Sequence, residues 1–316
     1  MITTRQIRKM KKFDTHSHIG VDARNPNASD LTQYGKAAKE KNIQRAILIG
    51  VPLPRYQTES GIYTPVNWET NGMKLNTFSK LNNISGPVQQ NPFAESNRRL
   101  EQQVNETSSP NLKLHFVPHV HPLLDTQEHL EYTLGQNPIA AKIHGSSWGI
   151  NPKDIPKEFF ETVRKSGVPL LLHTDYSADP QNGNHVAIGA NDPLVWIDLC
   201  EKYDIRASLA HGLRLCEESW ERVRKAGNQF IVGFGPKLNT TGYRVKKRGG
   251  DYVTDLMEMA DPSKLTYDID FAWNKDDNDK IDWTLDEDLI GKMNDSDFEG
   301  FYKGNAEKFY RLESKE

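Results

Sequence analysis

FDTHSHIG, residues 13–20, places two histidines, His16 and His18, on alternate positions of the chain's first short apolar beat. In an extended strand residues i and i+2 face the same way, so the two rings would stand side by side and could share one cation. A polar surface segment with two solvated histidines would read the same, so the meaning of the pair rests on what recurs downstream.

What recurs is the beat itself. Short apolar runs follow at RAILIGV (45–51), LHFVPHV (114–120), IAAKIHG (139–145), VPLLLHT (168–174), RASLAHG (206–212), FIVGFG (230–235) and KLTYDID (264–270), which with FDTHSH makes eight. Between them lie LTQYGKAAKEKN, EFFETVRKSG, PLVWIDLCEKYD and EESWERVRKAG, where apolar residues return every three or four positions and Gly or Asn often closes the segment. Strands alternating with helices predict a parallel sheet with crossovers, and eight such units predict an α/β fold of the (β/α)8 TIM-barrel kind. A last helix around GNAEKFYRL would finish the ring. The rival, an open doubly wound sheet, calls for a glycine-rich phosphate turn after the first strand, and FDTHSHIG is not followed by one.

The 316 residues fit a single barrel domain spanning 1–316. The rhythm breaks between Pro52 and about Gln90, a Pro-, Gly-, Asn- and Ser-containing insertion after strand 2 that is expected to pass over one barrel mouth. NKDDNDKID (274–282) lacks the glycine and terminal glutamate of a calcium loop and reads as a solvated turn. A hydrophobic share of 36% and a mean hydropathy of −0.71 predict long hydrophilic loops. Forty Lys and Arg against 43 Asp and Glu, a net charge of −3, give no electrostatic case for nucleic acid or an anionic membrane. The basic start ITTRQIRKMKK lacks the apolar core of a signal peptide, and no window approaches a transmembrane span. Two cysteines, Cys200 and Cys216, exclude a disulfide framework and a thiolate zinc site; both fall in segments read as helix, and a cytoplasmic setting is expected.

Polar residues gather where the apolar runs end. In a barrel the carboxyl ends of the strands converge on one mouth, and there the sequence puts His16 and His18 (strand one), Lys142 and His144 (strand four), His173 (strand five), His211 (strand six), and Asp268 and Asp270 (strand eight). His16, His18, His173 and Asp270 would supply three nitrogens and one oxygen to one divalent cation, a set suited to Zn and tolerated by Mn or Fe. Such a centre can lower the pKa of a bound water, and His211 would take or give a proton beside it.

The succession DTHSH, K-I-H, VPLLLHTD, LAHG, the aspartate closing KLTYDID, and GNAEKFYRL resembles the amidohydrolase superfamily, and within it the amidohydrolase-related group that includes aminocarboxymuconate semialdehyde decarboxylase. The resemblance runs from Phe13 to about Leu312. It implies that His16, His18, His173 and Asp270 hold one catalytic metal, with His211 beside the bound water or substrate. At strand eight the family usually has glycine, serine or threonine, aspartate, an aromatic and proline, where this chain has Asp268, Ile269, Asp270, Phe271 and Ala272. Both aspartates would point the same way on a strand, and the family's register favours Asp270 as ligand and proton acceptor. In binuclear relatives the strand-four lysine is carboxylated and bridges two metals; in the mononuclear group it is not usually a bridge.

Other assignments rest on single residues. Lys142 would hold a substrate carboxylate, or pair with Asp175 or Asp268; His144 shares its face, and Arg214 could clamp an anion. His119 and His121 at the end of strand three read equally as substrate or solvent contacts, and Asp175 as an orienting partner. Arg55, Tyr56, Tyr63, Trp68 and Lys74 are available in the excursion to shape a pocket, and its aromatics would suit a homodimer contact. His115, His129 and His185 read as surface or loop residues. The expected activity is metal-dependent hydrolysis of a small carbonyl-containing substrate. Its rivals are non-oxidative decarboxylation of a small unsaturated or aromatic acid and a metal-binding barrel without catalysis.

Overall fold

All eight apolar runs form strands in the computed structural model: β1 (Lys12–Asp22), β2 (Ile43–Gly50), β3 (Lys113–Val117), β4 (Ala141–Ile143), β5 (Leu170–Leu172), β6 (Ala207–Leu209), β7 (Phe230–Phe234) and β8 (Leu265–Tyr267). The structure describes residues 2–22, 25–50, 56–58, 61–63, 90–145, 150–174, 178–179, 184–185, 191–235, 252–271 and 283–312. Neighbouring strands run parallel in two arcs, β1-β2-β3 and β4-β5-β6-β7-β8.

Backbone hydrogen bonds sew the two arcs together at both seams. Between β3 and β4, Lys142 N donates to Pro118 O at 2.8 Å and Val120 N to Lys142 O at 3.1 Å. Between β8 and β1, Asp270 N donates to His16 O at 2.9 Å and His18 N to Phe271 O at 3.1 Å. The fold is a (β/α)8 barrel.

Alternation along the strands separates two apolar layers, as a period of two requires. Ala46, Leu48, Leu170, Leu172, Ala207 and Leu209 pack outward with the helices. Ile47, Ile49, Val117, Leu171 and Ile231 cluster on the other face with Phe13, Ala306, Phe309 and Tyr310. Lys142 stands opposite Leu171 in the ladder, between the outward-packing Ala141 and Ile143, so it belongs to the inner face.

The helical patterns become Leu31–Glu40, Lys157–Ser166, Pro193–Tyr203 and Glu217–Lys225, joined by Ala94–Thr107, Gln127–Gly135 and Tyr252–Met259. Their boundaries have local causes. Asp30, Thr126 and Asp192 side chains accept from backbone N–H groups of the first turn, and Gly167 ends Lys157–Ser166 in the left-handed region at φ 68°. The closing segment differs from expectation: a π turn at Gly300–Gly304 leads into a helix of only five residues, Asn305–Phe309.

Two assignments change. Cys216 caps Glu217–Lys225 from outside the helix, while Cys200 lies within Pro193–Tyr203; both are buried free thiols. His115, read as a surface or loop residue, is a member of β3 within the run LHFVPHV, paired with Ile47 and packed near the Phe13 ring at 6.2 Å. Of the excursion 52–90, the described residues comprise Gln90 and a small antiparallel pair, Tyr56–Thr58 with Gly61–Tyr63; the rest, and NKDDNDKID, lie outside them. No helix among the described residues is long and apolar enough to cross a membrane.

Candidate metal centre

The strand-end histidines meet at one mouth of the barrel. His16 Nε2 lies 3.0 Å from His18 Nε2, and the donor atoms of His16, His18 and Asp270 all fall within 4.8 Å of one another. From His16 the rings continue across the mouth: His211 follows at 5.2 Å between centroids, His173 at 4.5 Å beyond it, and His144 stacks on His173 at 3.8 Å and 16°. Lys142 Nζ stands 3.3 Å from His16 Nε2.

Hydrogen bonding fixes which nitrogens are free to bind. A carbonyl only accepts, so the 2.9 Å contact between His18 Nδ1 and Gly50 O puts the proton on Nδ1 and leaves a lone pair on Nε2. His18 Nε2 lies beside His16 Nε2, and with a carboxylate oxygen of Asp270 the group offers two nitrogens and an oxygen within 4.8 Å of one another. Such a donor set fits a divalent cation. His16 Nδ1, buried, has no hydrogen-bond partner among the described residues, so the ring's committed atom is the one in the cluster.

Electrostatics agree with neutral, ligating imidazoles. Burial, and then the Lys142 charge, hold His16 and His144 well below the usual imidazole range; burial and then His144 do the same for His173. Burial pushes Lys142 down to about 7, against the pull of Asp270 and Asp268.

His173 stands outside the close trio, because its Nδ1 is engaged by His211 Nε2 at 2.9 Å and its face by His144. His211 begins a left-handed turn, His211, Gly212 and Leu213 at φ 65°, 60° and 53°. Two non-glycine residues in that region store strain of the kind found where a side chain must be aimed. The two strand-eight aspartates diverge. Asp270 has φ 47°, which ends the strand's alternation; Asp268 is fully buried and turns toward Gly233 and Gly235 of the β7 end, while Asp270 joins the histidine pair. Arg214 lies in the turn after β6, and its side chain, like Asp175, falls outside the described residues.

No protein-family model matches the sequence, and no curated protein matches it. Solved structures do. A dihydroorotase from Campylobacter jejuni superposes with a TM-score of 0.59 at 11% identity, over 97% of this chain and 85% of that one. A 5-carboxyvanillate decarboxylase from Sphingomonas paucimobilis gives 0.57 at 12%, over 96% and 99%, and a 4-oxalomesaconate hydratase from Rhodopseudomonas palustris 0.54 at 12%, over 95% of each chain. The chain shares the fold of these enzymes over nearly its whole length. At these identities the likeness concerns the course of the backbone and leaves the chemistry to the side chains.

One contributor to this barrel mouth was not legible as such. His119 Nε2 donates to the same Gly50 carbonyl at 2.9 Å, so two histidines from different strands hold one oxygen. Asn97 grips His119 on both sides, accepting from its N–H at 3.0 Å and donating to its carbonyl at 2.9 Å, and Phe93 covers the ring at 4.8 Å. His119 and His121 are both buried, which removes the solvent-contact reading for each. The available signal was glycine closing the β2 run beside a histidine closing β3, but which carbonyl the ring would meet depends on the barrel's closure.

Proposed function

We propose that this chain is a metal-dependent hydrolase of the amidohydrolase superfamily, acting on a small carbonyl-containing substrate, most consistently with Zn and with Mn or Fe as alternatives. The observation that carries this reading is the gathering of donor atoms from His16, His18 and Asp270 within 4.8 Å of one another. His16, His18 and Asp270 would hold the cation, with the second nitrogen of His173 as the further donor. When bound, a divalent cation there supplies Lewis acidity and a water of lowered pKa. The remaining work falls to the protein. His211 Nε2 and His173 Nδ1 share one proton across 2.9 Å, so His211 can accept or return a proton while its neighbour keeps the ring oriented. Asp270 is the second proton acceptor. Lys142, with a pKa near 7, can change its charge at neutral pH and bind an oxyanion or a carboxylate as a point charge. His144 and Arg214 complete the proposed substrate side.

A second reading has its own support. The neighbour acting on 5-carboxyvanillate is a decarboxylase, and the mouth gathers a lysine and five imidazoles suited to an acid substrate, so non-oxidative decarboxylation of a small unsaturated or aromatic acid uses the same residues. A substrate panel assayed for hydrolysis and for released carbon dioxide separates the two. A cytoplasmic location fits the two free buried thiols, and a homodimer is the proposed assembly.

Metal content of protein purified without added metal tests the centre. About one equivalent of Zn, Mn or Fe is expected, lost in His16→Ala and Asp270→Ala. Two equivalents would make Lys142 a carboxylated bridge, and none after reconstitution would overturn the mechanism.

A further inference from the structure

The first strand carries an irregularity directly beneath its histidines. Asp14 pairs with Ala46 and Ser17 with Leu48, so three steps along β1 match two along β2, and a bulge falls between them. A bulge leaves backbone groups out of the ladder, and buried ones need other partners. Here the partner is a carboxylate. Asp14 Oδ1 accepts from His16 N at 3.2 Å and from Ile269 N, across the seam, at 3.0 Å; Oδ2 accepts from Ser17 Oγ at 2.6 Å and Tyr34 OH at 2.7 Å. Ser17 Oγ in turn accepts from Phe271 N at 3.2 Å.

These bonds form one row with the seam's own rungs. Ile269 N goes to Asp14, Asp270 N to His16 O, Phe271 N to Ser17 Oγ, and Phe271 O accepts from His18 N. Every backbone N–H from residue 269 to 271 is therefore held by the segment that carries the two histidines. Asp270 sits in this row at φ 47°, a conformation a non-glycine residue keeps only where its surroundings over-determine it. Tyr34, from Leu31–Glu40, closes the far side with its ring edge-on to Phe271 at 5.4 Å and 84°. Asp14, Ser17 and Tyr34 are all fully buried. A buried carboxylate is costly unless its lone pairs are filled, and four donors fill these.

We propose that Asp14, with Ser17 and Tyr34, is a positioning clasp that sets the separation between the β1 histidines and Asp270, and thereby the cation affinity of the centre. The proposal rests on the metal-centre reading above. None of the three residues supplies a donor atom to the trio.

The test is titration of metal-free protein with Co(II), read as stoichiometry, dissociation constant and visible absorption, in wild type, Asp14→Ala, Asp14→Asn, Ser17→Ala and Tyr34→Phe, each checked for native circular dichroism. Asparagine keeps an oxygen for His16 N and Ile269 N, and the two hydroxyls can turn to accept from its amide. Asp14→Ala and Ser17→Ala are expected to weaken cobalt binding roughly 10- to 100-fold and to alter the absorption spectrum, with Asp14→Asn restoring most of the affinity. If Asp14→Ala does not fold, Ser17→Ala and Tyr34→Phe, each removing one donor, carry the test. Variants that lose thermal stability while keeping the wild-type dissociation constant and spectrum would show a merely structural network and overturn the clasp. Failure of the wild type itself to bind cobalt would instead overturn the metal-centre reading, and the clasp with it.

Discussion

Asp268 is the most constrained residue at the mouth. It is fully buried, and neither carboxylate oxygen has a hydrogen-bond partner among the described residues. Burial first, and then Asp270 and Asp14, push its pKa well above the carboxylate range. The side chain occupies space that two glycines leave open: a Cβ on Gly233 would lie 2.6 Å from Asp268 Oδ2, and one on Gly235 would be closer still to Oδ1. Gly233→Ala should therefore cost on the order of 1–3 kcal/mol in urea unfolding through overpacking, and the cost should vanish in an Asp268→Gly background. Equal costs in both backgrounds would mean that the glycine serves something other than this carboxylate. At this scale the sequence was readable where alternation holds and unreadable where it stops. His16 and His18 meet as the period of two predicts, even across a bulge. Asp268 and Asp270 look identical by the same rule, yet a left-handed backbone at 270 sends them to different neighbours. Nothing in the letters DID announces that turn.

The strands and crossover helices were legible because each is written as a run of the right period, and their ends were legible where a cap residue marks them. What the periodicity does not carry is how the opposite end of the barrel is tied. Lys41, which ends Leu31–Glu40, is completely buried, donates to Asp286 at 2.7 Å and lies 3.8 Å from the Trp283 ring centroid; Tyr302 OH donates to the other Asp286 oxygen at 2.8 Å. Lys12, at the start of β1, is buried as well, donating to Ile7 O at 2.8 Å and so fastening the amino-terminal helix Thr4–Lys9. Periodicity marks neither lysine as buried, since lysine is seldom buried without a partner and the partner of Lys41 is 245 residues away. Removing one member of a buried pair leaves the other uncompensated, so Lys41→Met should destabilise the protein by about 3–5 kcal/mol in urea unfolding. Lys41→Met with Asp286→Leu should recover a large part of that loss. If the single variant is near neutral, the pair is not what joins Leu31–Glu40 to Thr284–Asp288.

For the molecule as a whole, the burial of so many imidazoles makes stability a function of pH. His115 is held down to about 4, by burial and then Arg45, and burial takes His119 and His121 to about 3; His16, His144 and His173 lie well below the normal range. In the unfolded chain all six titrate near 6.5, so between about pH 4 and 6.5 the unfolded state binds more protons at these sites, and their contribution to stability rises with pH. Three carboxylates act in the opposite sense: burial raises Asp125 to about 7, and Asp14 and Asp268 are raised too, so the native state holds their protons longer. Six imidazoles against three carboxyls leave a net gain with rising pH, at about 1.4 kcal/mol per pH unit for each net proton. Above neutrality the buried amines continue the trend, because burial lowers Lys142 to about 7 and Lys12 to about 8 while their unfolded forms stay charged to about 10.4. Metal-free protein at constant ionic strength should therefore melt at a higher temperature at pH 8 than at pH 5. A flat or inverted profile would show that the native histidines take up protons on acidification, which neutral metal ligands do not. Added Zn should raise the melting temperature across the whole profile without steepening it, since the native nitrogens it binds are already free of protons over this range, and His16→Ala should remove that rise while leaving the slope due to His115, His119 and His121.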